Sequence, residues 1–309
     1  MRAAFVRALI ELASEDQRIL LLTGDLGFMA LEPFIEKFPS RFFNVGVAEQ
    51  NMVGLATGLA DAGFIPYVYS IATFASMRAL EFVRNGPLLH RLPVRIVGVG
   101  GGFEYGPAGP THHGLEDVAL MRALPGMTIV APADHAQTPT VVRATWSVPG
   151  PVYLRLGKDD RTTVPGLGPR FELGRAQWVR HGRDLAILAL GNSSAEAVAT
   201  SETLAATGID CAVLVVASVN PPPLEDLVEA LSRFRAVLTV EAHSVVGGLG
   251  SLVSEIVAER GLHCRVVRCG VRFLSDGRGG SERYLLGVHG LTREQLAETA
   301  RRTLAEMAA

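Results

Sequence analysis

Glu49 is the first charged side chain in the run NVGVAEQNMVGLATGLADAG, residues 44–63, where a strand pattern gives way to a helical one. An acidic residue in a first helical turn gains from the positive end of the helix dipole, and that alone could account for it. The other use of a carboxyl among small apolar neighbours is chemical. Withdrawn from water, it can share a proton with a ligand nitrogen instead of staying ionised. A second candidate is GGGFEYGPAGPTHHGLEDVALMR, residues 100–122, a glycine-rich loop followed by the adjacent histidines His112 and His113. Adjacent histidines in an extended segment point different ways, so at most one faces a given site. No further metal ligands lie at compatible spacing, and the glycines match neither a dinucleotide fingerprint nor a phosphate loop. The third is YSIATFASMRALEFVRN, residues 69–85, which offers Phe74, Met77 and Arg78 as a helix begins. Such a set serves a core as readily as a ligand pocket.

The elements that must position these residues alternate. RILLLTG, FFNVG, IPYVYS, PVRIVGVG, MTIVAP and VYLRL read as strands, with helices expected at about 3–13, 48–62, 74–90, 115–123 and 134–146. This is the pattern of a parallel sheet wrapped by helices. Asp134 is placed to cap the last helix. The stretch GKDDRTTVPGLGPRFELGR has no apolar period and reads as a linker, after which the alternation restarts with DLAILALG, DCAVLVVAS, AVLTVE and CRVVRCG and closes with a helix over 292–307. The expected division is a first domain at 1–160, a linker at 161–180 and a smaller α/β domain at 181–309. Gly54 and Gly58, four apart on the 48–62 helix, would let another backbone approach closely.

The composition excludes several classes. With 29 basic and 31 acidic side chains, a net charge of -2 and no basic run, the chain is not built to follow a phosphate backbone. No leader or apolar run of bilayer length is visible, and Cys211, Cys264 and Cys269 lack metal or redox spacing. A soluble, cytoplasmic protein with free buried thiols is the expectation.

Taken together and in this order, RFFNVGVAEQNMVGLATGLA, GPTHHGLEDVALMRALPGMTIVAPAD and TVEAHSVVGGLGS resemble the transketolase family of thiamine diphosphate enzymes, and the resemblance covers nearly the whole chain. It implies a pyrimidine-binding domain followed by the family's C-terminal domain. In that family the glutamate matching Glu49 bonds N1′ of the aminopyrimidine, favouring the 4′-imino form that takes the C2 proton of the thiazolium. His112 matches the histidine that lies over the reacting carbon, while His113 stands where the family usually has Gln and is a secondary substrate contact. Asp25 and Leu26 match the loop beside the cofactor, and Phe74, Met77 and Arg78 match the segment packed on the pyrimidine. Arg155, in VYLRLGK, matches an arginine that contacts substrate phosphate.

The family's diphosphate domain carries a GDG motif and a downstream Asn that hold diphosphate and metal, and this sequence has no GDG. The resemblance therefore implies an N-terminal partner subunit bearing that motif and holding the Mg2+ or Ca2+, in a heterotetramer of two plus two. The family's sugar-reading residues are also replaced: Ala108, Gly100, Met29 and Leu80 stand where Asp, His, Ser and Tyr are common. A site stripped of those polar groups would redirect recognition, for example toward delivery of a two-carbon ketol unit to a carrier-bound thiol. The competing readings are the β-type subunit of an oxoacid dehydrogenase decarboxylase and, in another class, a non-catalytic scaffolding or regulatory subunit.

Overall fold

The structure is a computed structural model, and it describes residues 1–274 and 277–308. The first sheet is built from β1 (Ile19–Thr23), β2 (Phe42–Asn44), β3 (Ile65–Ile71), β4 (Arg95–Val99), β5 (Thr128–Val130) and β6 (Val152–Leu156). The second contains β7 (Gln177–Arg180), β8 (Leu185–Leu190), β9 (Cys211–Val216), β11 (Ala236–Ser244) and β12 (Arg265–Val271). A short strand between these, β10 (Ser218–Asn220), leaves the second unit and pairs antiparallel with β5, giving the first sheet the order β10-β5-β6-β4-β3-β1-β2.

Pairing among β1 to β6 is parallel throughout, with Ile19 beside Ile65, Tyr67 beside Arg95 and Arg95 beside Val152. Parallel strands are covered on both faces, which is why β1, β4 and β6 are continuous buried runs and do not alternate. The second sheet, β12-β11-β8-β9-β7, is parallel except for β7. One apolar core runs through both units, joining Leu20, Met52 and Ile129 to Ala186, Leu214 and Val253.

Helices occur at Arg2–Glu15, Glu49–Asp61, Asp117–Arg122 and Thr138–Thr145 in the first unit, and the expected closing helix is Arg293–Ala308. Asp134 does not cap the fourth, which begins at Thr138 with Gln137 at its N-cap, but holds the turn leading into it: its Oδ1 accepts from Gln137 N at 2.8 Å, and Oδ2 accepts from Val164 N at 2.8 Å. Two further expectations change. The helix expected over 74–90 is broken into π-helical turns at Phe74–Arg78 and Arg84–Leu88 around Leu80–Val83, the second turn containing Pro87. The expected linker is also shorter than 161–180, because residues 177–180 form β7 and pair with β9.

Candidate active site

The order β2-β1-β3-β4 reverses direction between β1 and β3, since the chain runs from β1 to one edge and returns past it. In an open parallel sheet the crevice at such a reversal, beyond the carboxyl ends of the strands, is where ligands bind. The loops leaving β1, β2, β3 and β4 carry Asp25, Glu49, Phe74 and His112 respectively. The topology therefore gathers on one edge four groups that lie far apart in sequence.

Glu49 opens the helix Glu49–Asp61 and is 2% exposed. Its Oε1 accepts from the Ser70 hydroxyl at 2.9 Å, and its Oε2 pairs with Arg78 Nη1 at 3.1 Å. Gly24 lies against the carboxyl, where a Cβ would stand 3.4 Å from Oε1, in van der Waals contact. The Arg78 guanidinium lies 3.9 Å from the centroid of the Phe74 ring, and Phe74 meets His112 edge-on at 5.0 Å. Carboxylate, cation, aromatic ring and imidazole thus form one continuous series.

His112 also contacts Thr111 Oγ1 through Nδ1 at 3.0 Å. Asp25 adopts φ 58°, a left-handed conformation that Asp tolerates, and exchanges hydrogen bonds with Asn44: 2.9 Å to Oδ1 and 3.1 Å from its own N–H. Leu26 is partly buried against the core under the first helix, and Met77 is 44% exposed. Ser70 and Asn44 were not singled out from the sequence. The usable signal was position, since each is a small polar residue at the carboxyl end of a strand.

Two assignments change. His113 is buried, packed edge-on against Phe103 with Nε2 3.4 Å from the Gly106 carbonyl, and burial lowers its pKa, so it faces the interior and not a substrate. Arg155 is 3% exposed, with Nε donating to Asp117 Oδ2 at 2.8 Å and Nη2 donating to the carbonyls of Gly114 and Ala242 at 3.0 Å each. A guanidinium committed in this way inside the protein is not presented to a substrate phosphate. The site lies on a parallel-sheet edge, but Arg155 points into the seam between the two units.

Family models for the transketolase pyrimidine-binding domain and the transketolase C-terminal domain match residues 1–162 and 174–296. The chain belongs to the transketolase family. It is similar to a putative transketolase C-terminal section of Methanocaldococcus jannaschii, 38% identical over 301 residues, covering 96% of this chain and 94% of that protein. It is also similar to the 6-deoxy-6-sulfo-D-fructose transketolase subunit SqwH of Clostridium sp. (strain MSTE9), 38% identical over 303 residues, with 97% and 93% covered. Among solved structures, a split-gene transketolase in an inactive β4 tetramer superposes with TM-score 0.89 at 38% identity, with 98% of each chain covered.

Transketolases depend on thiamine diphosphate, and the residues at the sheet edge fit its aminopyrimidine. Each Glu49 oxygen has one protein donor, which leaves acceptor capacity on a carboxylate. The hydroxyl of Thr73, beside Phe74 in sequence, is buried without a partner. Among the described residues no group of three or more His, Cys, Asp or Glu is placed to hold a metal ion.

Proposed function

We propose that this chain is the pyrimidine-binding subunit of a split transketolase, transferring a two-carbon ketol unit from a ketose donor to an acceptor together with a second polypeptide that holds the diphosphate and its metal ion. The observation that carries this reading is the buried Glu49 carboxylate at the β1/β3 reversal, bonded to Ser70 and Arg78 and one ring away from His112. Bound thiamine diphosphate supplies a carbon nucleophile that holds the ketol unit during transfer. Glu49 holds a proton at N1′ of the pyrimidine, where a carboxyl shielded from water is most effective. Phe74 forms an apolar wall of the pocket, Leu26, Asp25, Met77 and Arg78 border it, and His112 exchanges protons with substrate oxygens.

The second polypeptide is supported by relatives named as a transketolase subunit and a transketolase C-terminal section, of which the chain covers 93% and 94%, and by surface. Phe28, Met29, Val47 and Met77, all on loops and turns at the carboxyl edge, are 74%, 97%, 70% and 44% exposed. Apolar groups clustered around a site mark a face that another protein covers. The β4 assembly of the similar split-gene transketolase is inactive, in line with a chain that needs a different partner. A two-plus-two heterotetramer is the assembly that the family resemblance implies.

Substrate choice falls to the loop carrying Ala108, which lies exposed in the turn Gly106–Ala108 where the family often has a hydroxyl-reading Asp. Relatives are named for 6-deoxy-6-sulfo-D-fructose and for apulose 4-phosphate, so the named substrates differ among these subunits. The test is reconstitution with a GDG-bearing subunit, thiamine diphosphate and Mg2+, followed by assay of ketol transfer. Transfer only in the mixture supports the proposal, and full activity of this chain alone would refute the division of labour.

A further inference from the structure

The glycines of GGGFEYG, residues 100–106, have a use that their spacing did not reveal. A Cβ at Gly101 would stand 2.5 Å from Arg155 Cζ, and one at Gly102 would stand 2.8 Å from both the Cβ and the carbonyl oxygen of Ala242. The run is open so that a buried guanidinium and a strand of the second unit can come close. Gly102 and Gly114 bond each other in both directions, at 2.7 and 2.9 Å, and Gly114 is two residues beyond His112. Arg155 Nη2 then spans the Gly114 carbonyl and the Ala242 carbonyl, one from each domain. Two further bonds continue the seam, Ser244 N to Leu115 O at 2.7 Å and Ala119 N to His243 Nε2 at 3.3 Å. Before the histidines, Gly280 N donates to Gly106 O at 3.1 Å.

We infer that Arg155 is a positioning residue: through Gly114 and Ala242 it clamps the loop bearing His112 to the second domain, so that this domain sets where the imidazole stands. The inference rests on the role proposed above for His112. An arginine serving only to neutralise Asp117 would need one arm, whereas here the other is spent on two carbonyls from different domains. Burial works against the Asp117 charge, but Arg155 with His243 more than offsets it and holds the carboxyl below its usual range. Tyr153 adds a donor to the same Oδ2 at 2.8 Å, which fixes the carboxylate that aims the guanidinium.

The test uses the whole chain, alone and combined with its GDG-bearing partner. Arg155→Lys keeps a cation for Asp117 but loses the second arm. Val198→Ala, in the second domain's core and outside this network, serves as a control of lowered stability. In the isolated chain, the His112 ring resonances, assigned by their loss in His112→Gln, should shift in Arg155→Lys and stay in place in Val198→Ala. In the complex, Arg155→Lys should lower kcat by about tenfold or more while donor KM stays within about threefold. Unmoved resonances with unchanged kcat, or an equal kcat loss in Val198→Ala, would overturn the inference. If Arg155→Lys does not fold, Tyr153→Phe, which keeps the arginine but removes the donor that fixes the Asp117 carboxylate aiming it, should shift the His112 signal in the same direction to a smaller extent, and an unmoved signal overturns the inference. If the wild-type complex transfers no ketol unit, the proposed function fails, while the resonances still decide the clamp.

Discussion

Arg78 and Glu49 form an ion pair of 3.1 Å in which only one partner is withdrawn from water: the Glu49 side chain is 1% exposed and that of Arg78 is 46%. The same guanidinium covers the Phe74 ring at 3.9 Å. Arg78 therefore occupies the two features that a planar, protonated heterocycle would use. The half-exposed guanidinium can swing into water, giving up a contact with Phe74 of about 0.5–1 kcal/mol, but the buried carboxylate it leaves needs a replacement, which a protonated heterocycle would supply. Arg78→Ala is expected to leave the apparent thiamine diphosphate affinity of the complex unchanged or up to about tenfold tighter. Calorimetric titration measures this, and a loss of more than about tenfold would instead assign Arg78 to gripping the cofactor.

Glu49 bears a different load. Glu49→Gln keeps the shape of the side chain and an acceptor for Ser70, but it cannot hand over a proton. The expected fall in kcat of the reconstituted complex is about 10²- to 10⁴-fold, with the circular dichroism of the isolated chain unchanged. Ser70→Ala removes one donor to the buried carboxylate and is expected to cost only about tenfold. Retained turnover in Glu49→Gln would favour the scaffolding reading over the catalytic one.

At the far side of the seam, Glu241 caps the helix Leu249–Arg260, accepting from Leu249 N at 2.7 Å and Gly250 N at 2.8 Å. Burial pushes its pKa up from 4.5 to about 7 even against those donors, and burial pushes His243 down from 6.5 to about 4. The signs are opposite. Glu241 is raised in the folded state, so the stability it contributes is present below about pH 4.5 and lost as pH rises through about 7. His243 is depressed, so its contribution is present above about pH 6.5 and lost as pH falls through about 4. Urea unfolding across this range should show the wild-type chain losing stability relative to Glu241→Gln as pH rises, and gaining relative to His243→Gln. Parallel profiles for all three chains would sink this assignment.

The parts of this molecule that were legible in the sequence are those set by local pattern. Apolar runs marked the strands β1 to β6, and the helix opening at Glu49 followed from periodicity next to a strand end. What could not be read depends on partners distant in the chain. Arg155 sits in an apolar strand, and nothing in VYLRL tells that Asp117, 38 residues earlier, meets its charge. The three residues of β10 are too few to carry a period and become a strand only because β5 offers an open edge. The turn Phe74–Arg78 shares its composition with an ordinary helix, yet its π-helical winding accompanies the stacking of Arg78 on Phe74.

The two helical glycines, alike in sequence, differ in the structure. A Cβ at Gly54 would lie in ordinary contact, 3.5 Å from the Phe82 ring, so this position faces the chain's own packing, whereas a Cβ at Gly58 would meet nothing within 4 Å. Leu55, 42% exposed, lies three residues before Gly58 on the outer side of a helix whose opposite face buries Met52, Val53, Ala56 and Ala60. An exposed leucine beside a bare stretch of backbone suits close approach by a second polypeptide. Gly58→Arg combined with Leu55→Arg should not destabilise the isolated chain by more than about 0.5 kcal/mol per site, because neither position fills a core and leaving glycine favours the helix. The same pair of charges would be desolvated without partners in an interface, which costs several kcal/mol and should abolish assembly in sedimentation with the GDG-bearing subunit, and ketol transfer with it. Assembly at wild-type concentrations would show that this face stays in solvent and that the partner binds the carboxyl edge of the sheet without it.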